Sequence, residues 1–342
     1  MRPVSRYGRA RSRGWRTLRE RCILGALLLC GLLSLLTTCT IIWILFSETT
    51  RFFTSEVTDT QGETSRVRIL GDFLGDLRWD PLLGQEKHFG IWPLIVGTFK
   101  VVGVAMAFAL TLGLIVGIWL SEYARPRARA ILKPALEILA GIPTVVFGFF
   151  ALTFITPLLR FSFLEDANGN PWNPLGVENY NVLAAGLAVG IMCLPIVTSL
   201  TEDALRAVPN ALREGAYGLG SSRFEASVRV ILPAALSGIV AAFLLAIARA
   251  VGETMIVALA AGMTPERLQD AEGNLNLAAV ANVSEPTQTM TGFMVQMFTG
   301  DAAYDTVDYY SSYAVAATLF VITFLITVVG SVIRLRFRQA YQ

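Results

Sequence analysis

Six stretches of this chain are each long and apolar enough to fill the hydrocarbon layer of a bilayer: roughly residues 23–46, 94–120, 135–159, 181–201, 234–263 and 312–333. About 20 apolar residues at the helical rise cross that layer, and none of the six alternates as a barrel strand would. A backbone in lipid has to satisfy its own hydrogen bonds, so each stretch is predicted to be a helix. Composition agrees: 54% of the 342 residues are hydrophobic and 16% are charged, where soluble proteins carry about 25%. A disordered chain, a disulfide scaffold and a soluble enzyme are excluded. The predicted fold class is an all-α membrane protein with six transmembrane helices. Cys22, Cys30, Cys39 and Cys193 lie in apolar runs and are expected to be buried small hydrophobes, not a disulfide or metal set.

Charge sets the expected topology. Eight arginines precede the first span, and the loops between spans two and three and between four and five, with the tail, bring the basic count on that side to nineteen. The opposite loops (47–90, 160–180, 264–311) hold seven basic residues against eighteen acidic ones. Positive flanks stay inside, so both termini are predicted to be cytoplasmic. The apolar run of the first span exceeds a signal-peptide core and no A-x-A site follows it, which predicts a signal anchor. The chain then divides into a basic cytoplasmic leader (1–21), the first transmembrane helix (22–46), an external loop (47–90), a core (91–335) carrying a cytoplasmic loop (202–233), and a cytoplasmic tail (336–342).

The external loop 47–90 has room for a small hairpin or helical cap. In the third outer loop, Met290, Phe293, Met294, Met297 and Phe298 fall on one helical face, which predicts a short helix lying at the outer interface. Asp166–Asn170 and Asp270–Asn274 read as glycine turns, with too few oxygen ligands for calcium.

Loop 202–233 is the most structured soluble piece. Pro209 suits a helix start, Gly218 and Gly220 a stop, and Ser222 with Glu225 has capping-box spacing for a second helix that runs to Pro233. Two short helices about a glycine turn make a knob, either a structural elbow or a docking element.

Charges inside spans are costly and point to function. Arg249 and Glu253, four residues apart, are predicted to share one helix face in span five. The planar fork of Arg249 suits an oxyanion, and Glu253 would temper its charge and accept a proton. The alternative is a self-neutralising pair that pins two helices. Lys100 lies near the outer end of span two and is expected to snorkel. Pro143 and Pro195 are predicted to interrupt spans three and four, as helix breaks beside a path or as plain kinks.

Two motifs carry a family resemblance. Glu214, Gly215, Ala216, Gly220, Val230, Leu232 and Pro233 form E-G-A-x3-G-x9-V-x-L-P, which resembles the E-A-A loop that couples ABC importer permeases to their ATPase. Gly215 and Val230 depart mildly from it. Arg249–Met255 (R-A-V-G-E-T-M) resembles a stretch of the PstC-type permease subunits of bacterial phosphate importers, and Met255 sets it apart from the PstA-type form. Ser121–Ala124, Gly141–Gly148 with Pro143 and Thr144, Leu194–Pro209 with Pro195, and Glu214–Gly220 look like the same family, across roughly 79–335. The resemblance implies a type I importer permease (MetI-like) of the bacterial inner membrane, without hydrolytic chemistry or cofactor. It implies a substrate path at Arg249, Glu253 and Thr254, and ATPase coupling through the 214–233 motif. The partners implied are a PstA-type second permease, two PstB-type cytoplasmic ATPase subunits, an external PstS-type binding protein, inorganic phosphate and membrane lipid, with no nucleic acid. Another oxyanion such as molybdate, sulfate or phosphonate is the nearest alternative. An intramembrane enzyme is disfavoured because the sole histidine, His88, lies in a loop, and a membrane sensor or scaffold because it needs no internal Arg–Glu pair.

Overall fold

The computed structural model describes residues 11–54, 57–58, 64–65, 68–81, 87–161, 173, 176–269, 275–300 and 306–336. The two turns at Asp166–Asn170 and Asp270–Asn274 lie outside these residues, although Gln269 and Leu275 pair antiparallel across the second.

The first helix, α1 (Arg11–Thr54), is far longer than a span and overruns the predicted loop boundary. Small two-stranded pairs, β1 (Val57–Thr58) with β2 (Thr64–Ser65) and β3 (Trp79–Asp80) with β4 (His88–Phe89), flank α2 (Arg68–Gly75). Next come α3 (Trp92–Ile118), α4 (Pro126–Ala140), α5 (Thr144–Phe150) and α6 (Thr156–Leu159). The second half holds α7 (Val182–Arg206), α8 (Asn210–Gly218), α9 (Arg223–Ala226), α10 (Leu232–Val251) and α11 (Met255–Ala260). It closes with α12 (Leu277–Ala281), α13 (Met290–Thr299) and α14 (Val307–Arg336). Among the described residues five helices are long and apolar enough to cross a membrane, six if α4 and α5–α6 count as one bent span.

Prolines explain the irregular turns. Helical segments pass through π-type turns at Trp119–Tyr123, Ala151–Ile155 and Ser227–Ile231, shortly before Pro126, Pro157 and Pro233. A proline has no N–H to give, and a wider turn takes up the carbonyls it leaves. Pro143 goes further: it caps α5 with extended backbone, and α4 meets α5–α6 at 90°. The stretch predicted as span three is therefore two helices at a right angle. Pro195 does not break its helix, since α7 runs through it from Val182 to Arg206 with Pro195 buried. The tight packing of α7 supports the backbone there.

The centre is the α3–α7 pair, with α5, α10 and α11 around it. A Cβ on Gly186 of α7 would stand 2.6 Å from Val104 Cβ of α3, so only glycine permits this approach. A second cluster caps the end away from the 202–233 loop: Phe52, Phe73, Trp79, Phe89 and Phe293 meet edge to face, an arrangement favoured by their ring quadrupoles. The helix predicted at 290–298 exists, but Met290, Phe293 and Met297 are buried in this cap and so is Thr291. It packs on its own bundle rather than lying flat on a membrane face. A third cluster, Leu205, Val208, Ile231, Ala235 and Ile239, roots the 202–233 loop.

Along α1 and α14 contacts run antiparallel: Phe46 meets Phe320, and Thr49 donates to the Tyr313 carbonyl at 3.1 Å. Leu45 and Met294 join the same seam. The outer surface of α1 exposes Cys22, Cys30 and Cys39, and Cys193 alone of the four is buried. The first three therefore lie on an exposed apolar face of α1, not in a core.

Candidate functional site

The charged pair of span five sits at a helix break. α10 ends at Val251, Gly252 caps it, and α11 begins at Met255. Arg249 and Glu253 thus do not share a continuous helix face. Arg249 occupies the last turn of α10, where the carbonyl end of the helix favours a cation. Glu253 precedes α11, and its Oε1 accepts from the Ile256 N–H at 3.3 Å, so the amide end of the next helix favours the anion. Each charge is stabilised by a helix terminus, which lowers the cost of holding it in a membrane segment. Glu253 is buried, whereas Arg249 is exposed, and no hydrogen bond or ion pair with a described residue engages its side chain. Thr254 donates to the Gly252 carbonyl at 3.3 Å, tightening the break.

Two residues missed from sequence complete this site. Thr291 of α13 donates to the Glu253 carbonyl at 2.8 Å, supporting the broken backbone from the cap. Cys193 of α7 lies with its sulfur 3.9 Å from the Ala246 carbonyl, within electrostatic reach of both Arg249 and Glu253. Nothing local in the sequence marks either contact. Pro143 and Thr144 form the corner at the start of α5, which packs against α11. Pro195 lies inside α7 two residues from Cys193, so its place is beside the break though it makes none of its own.

The 202–233 loop folds as its spacing predicts. Pro209 caps α8, Gly220 takes φ +87° in the turn, and Ser222 and Glu225 form a full capping box at α9. Glu214, Gly215 and Gly220 are exposed, Ala216 is buried against the root, Leu232 packs on the third cluster and Pro233 is exposed. Leu219 is 90% and Phe224 68% exposed at the tip.

Ion pairs tie this end together. Arg213 of α8 donates to the Val208 and Leu205 carbonyls at 2.6 and 2.7 Å and to Glu122 Oε1 at 3.1 Å. Glu202, wholly buried in α7, pairs with Arg129 and, at 2.9 Å, with Lys133 of α4, which also reaches Asp203 at 2.6 Å. At the other end Lys100 does not snorkel. Its ammonium is buried, 2.8 Å from Glu266 and 2.9 Å from the Ala279 carbonyl. Burial pushes the Glu266 carboxyl above the usual carboxylate range, and Lys100 draws it partly back. His88 contacts Asp76 at 2.7 Å within the cap.

Bent and broken spans around a charged break, with a helical knob at one end, define a multi-pass permease subunit. Residues 109–339 match the family of binding-protein-dependent transport system inner membrane components. The chain is 33% identical over 219 residues to the probable ABC transporter permease protein YqgH of Bacillus subtilis (strain 168), covering 63% of this chain and 67% of that one. It is 31% identical over 279 residues to the phosphate transport system permease protein PstC of Mesorhizobium japonicum, covering 77% and 78%. Its fold matches a chain in the crystal structure of a bacterial alginate ABC transporter in complex with an alginate pentasaccharide-bound periplasmic protein, with a TM-score of 0.53 at 13% identity over 92% of this chain and 95% of that one. The protein belongs to the binding-protein-dependent transport system inner membrane component family and is a permease subunit of an ABC importer in the inner membrane.

Proposed function

We propose that the imported substrate is inorganic phosphate and that Arg249 lines its path. The observation that carries this reading is an exposed guanidinium, free of partners among the described residues, at a helix break inside an apolar span. At the helical rise Arg249 lies about 26 Å along α10, within the apolar span. A membrane helix keeps such a charge where a partner or a passing anion meets it. The relatives named for phosphate transport support the choice of anion. Glu253 offsets the positive charge so that the anion can leave, and Thr254 holds the break.

In this reading a PstA-type permease completes the path across the exposed face of Arg249, and two PstB-type ATPase subunits receive the knob at Glu214–Gly220, with Leu232 and Pro233 transmitting movement into α10. A PstS-type binding protein delivers phosphate to the capped end. The basic end, with both termini, then faces the cytoplasm.

Phosphate uptake by the full complex in vesicles tests the assignment. Arg249→Gln is expected to abolish uptake with assembly intact, Arg249→Lys to restore it in part, and Glu253→Gln to impair release. Wild-type uptake by the double variant Arg249→Gln with Glu253→Gln would show that the two charges only neutralise each other.

A further inference from the structure

A second anion station can be read at the end of the bundle away from the knob. Leu152, Thr156, Pro157, Arg160, Asn179 and Tyr180 line a cavity of about 340 Å³. It lies where α6 ends and α7 is about to begin, the end of α7 opposite to Arg206 and the knob. We propose that this cavity binds a tetrahedral phosphate-type oxyanion, with Arg160 as its principal ligand, ahead of Arg249 on the path. The proposal rests on the phosphate reading above.

Three features support it. First, Arg160 Nε is buried and has no hydrogen-bond partner among the described residues. A buried N–H left unmade costs the full desolvation of the group, so it calls for a missing acceptor. The same side chain gives one Nη1–H to Asn179 Oδ1, which fixes the plane of the fork. Second, the other polar groups at the wall are donors to spare. Thr156 is buried; its oxygen accepts from Asn181 Nδ2 at 3.3 Å, and its own hydrogen meets no acceptor among the described residues. The amide of Asn179 turns its oxygen to Arg160, which leaves its NH2 to give, and Tyr180 adds a half-exposed hydroxyl. A guanidinium with hydroxyl and amide donors around it suits an anion with several acceptor oxygens and not a neutral or cationic ligand. Third, the chain beside the cavity meets the helix that follows the charged break. Asn181 N–H donates to the Ala260 carbonyl at 3.0 Å, and Tyr180 packs beside Gly262. α11 (Met255–Ala260) is about 9 Å long at the helical rise, with the break at one end and Ala260 at the other. The chain entering α7 thus touches the end of α11 opposite to the break, and the proposed order sets Arg160 ahead of Arg249. The nearby acids Glu178 and Glu285 are exposed and do not line the cavity.

The phosphate group could come from free inorganic phosphate or from a lipid headgroup at the bilayer edge, and the test separates the two. The complete complex is placed in nanodiscs of zwitterionic lipid or of zwitterionic lipid with phosphatidylglycerol. Binding of radiolabelled inorganic phosphate without binding protein, and the KM for uptake with it, are measured for wild type, Arg160→Gln, Arg160→Lys and Asn179→Ala. Removal of a charge-assisted pair is expected to weaken phosphate binding about tenfold in Arg160→Gln and to raise KM with little change in maximal rate, with Arg160→Lys intermediate. Asn179→Ala, which leaves the charge in place, is expected to give a smaller loss and guards against a folding defect. Retained phosphatidylglycerol in native mass spectra, lost in Arg160→Gln, would assign the same site to a headgroup. Unchanged phosphate binding, KM and lipid retention in Arg160→Gln would overturn the proposal. A wild-type complex that takes up no phosphate would instead defeat the substrate reading on which it rests.

Discussion

Arg213 and Glu122, 91 residues apart in sequence, meet at 3.1 Å and bind the knob to the end of α3. Both side chains are largely buried, and Arg213 also donates to the Leu205 and Val208 carbonyls at the end of α7. One guanidinium thus joins three pieces: the knob, the second span and the fourth. A push on the knob reaches α3 and α7 together.

Arg213→Ala is expected to lower stability of the complex by on the order of 2–3 kcal/mol, since charge-assisted bonds are lost and Glu122 keeps the Ser121 hydroxyl but no cation. Glu122→Gln keeps an acceptor and should cost about 1 kcal/mol. Denaturation of the purified complex measures both. The ratio of phosphate moved to ATP hydrolysed should fall in Arg213→Ala even at temperatures where the complex is intact.

Gly215→Ala should stabilise the knob. The position is an exposed helical one, and a Cβ there meets nothing within 4 Å. The gain expected from helix propensity is about 1 kcal/mol. Coupling should persist, because Glu214 and the turn at Gly220 are untouched. Loss of ATPase association in a pull-down would mean that the bare backbone at 215 is itself the contact.

Lys100→Met strands Glu266 in a buried site and should destabilise by about 3–5 kcal/mol near neutral pH. The sign of its pH dependence follows from the carboxyl. Burial already raises its pKa, and losing Lys100 removes an influence that lowers it. A group raised on folding contributes stability that is complete below its unfolded value and lost as pH rises through the folded one. The deficit of Lys100→Met is therefore expected to shrink toward pH 5 and to grow toward pH 8. Lys100→Met with Glu266→Gln should remove this dependence, as thermal melts across pH would record.

Gly97→Ala should loosen the cap. A Cβ at Gly97 would sit 2.5 Å from the Gln288 carbonyl oxygen, which is backbone and cannot swing aside. A loss of about 1–3 kcal/mol is expected from the forced shift of α3 against the loop entering α13. Faster hydrogen exchange confined to 286–297 would localise it.

What the sequence revealed followed from how local each signal is. The knob was legible because Pro209, Gly220, Ser222 and Glu225 act within a few residues of themselves, and the same holds for the helix at Met290. Arg249 stood out by its depth in an apolar run. The break after Val251 did not, since Gly252 interrupts the apolar pattern no more than glycines elsewhere in helices. The interruption at Pro143 was legible from the proline but its right angle was not, because hydropathy continues across it, and Pro195 gave the same sequence signal and produced no break. The tertiary neighbours of α7 made the difference. Lys100 was misread because its partner lies 166 residues away. The free donor of Arg160 needed Asn179 and Thr156 to be seen together.

The right angle at Pro143 has a consequence for the lipid itself. With α4 turned away, the crossing here is left to Thr144–Leu159, about 24 Å at the helical rise. The hydrocarbon layer is about 30 Å thick, and a short helix is met by thinning of the leaflets around it. A crossing this short is expected to pinch the bilayer beside α5 and α11, next to the charges at 249 and 253. A local thin spot shortens the distance over which an anion travels without water and softens the membrane where the helices have to rock.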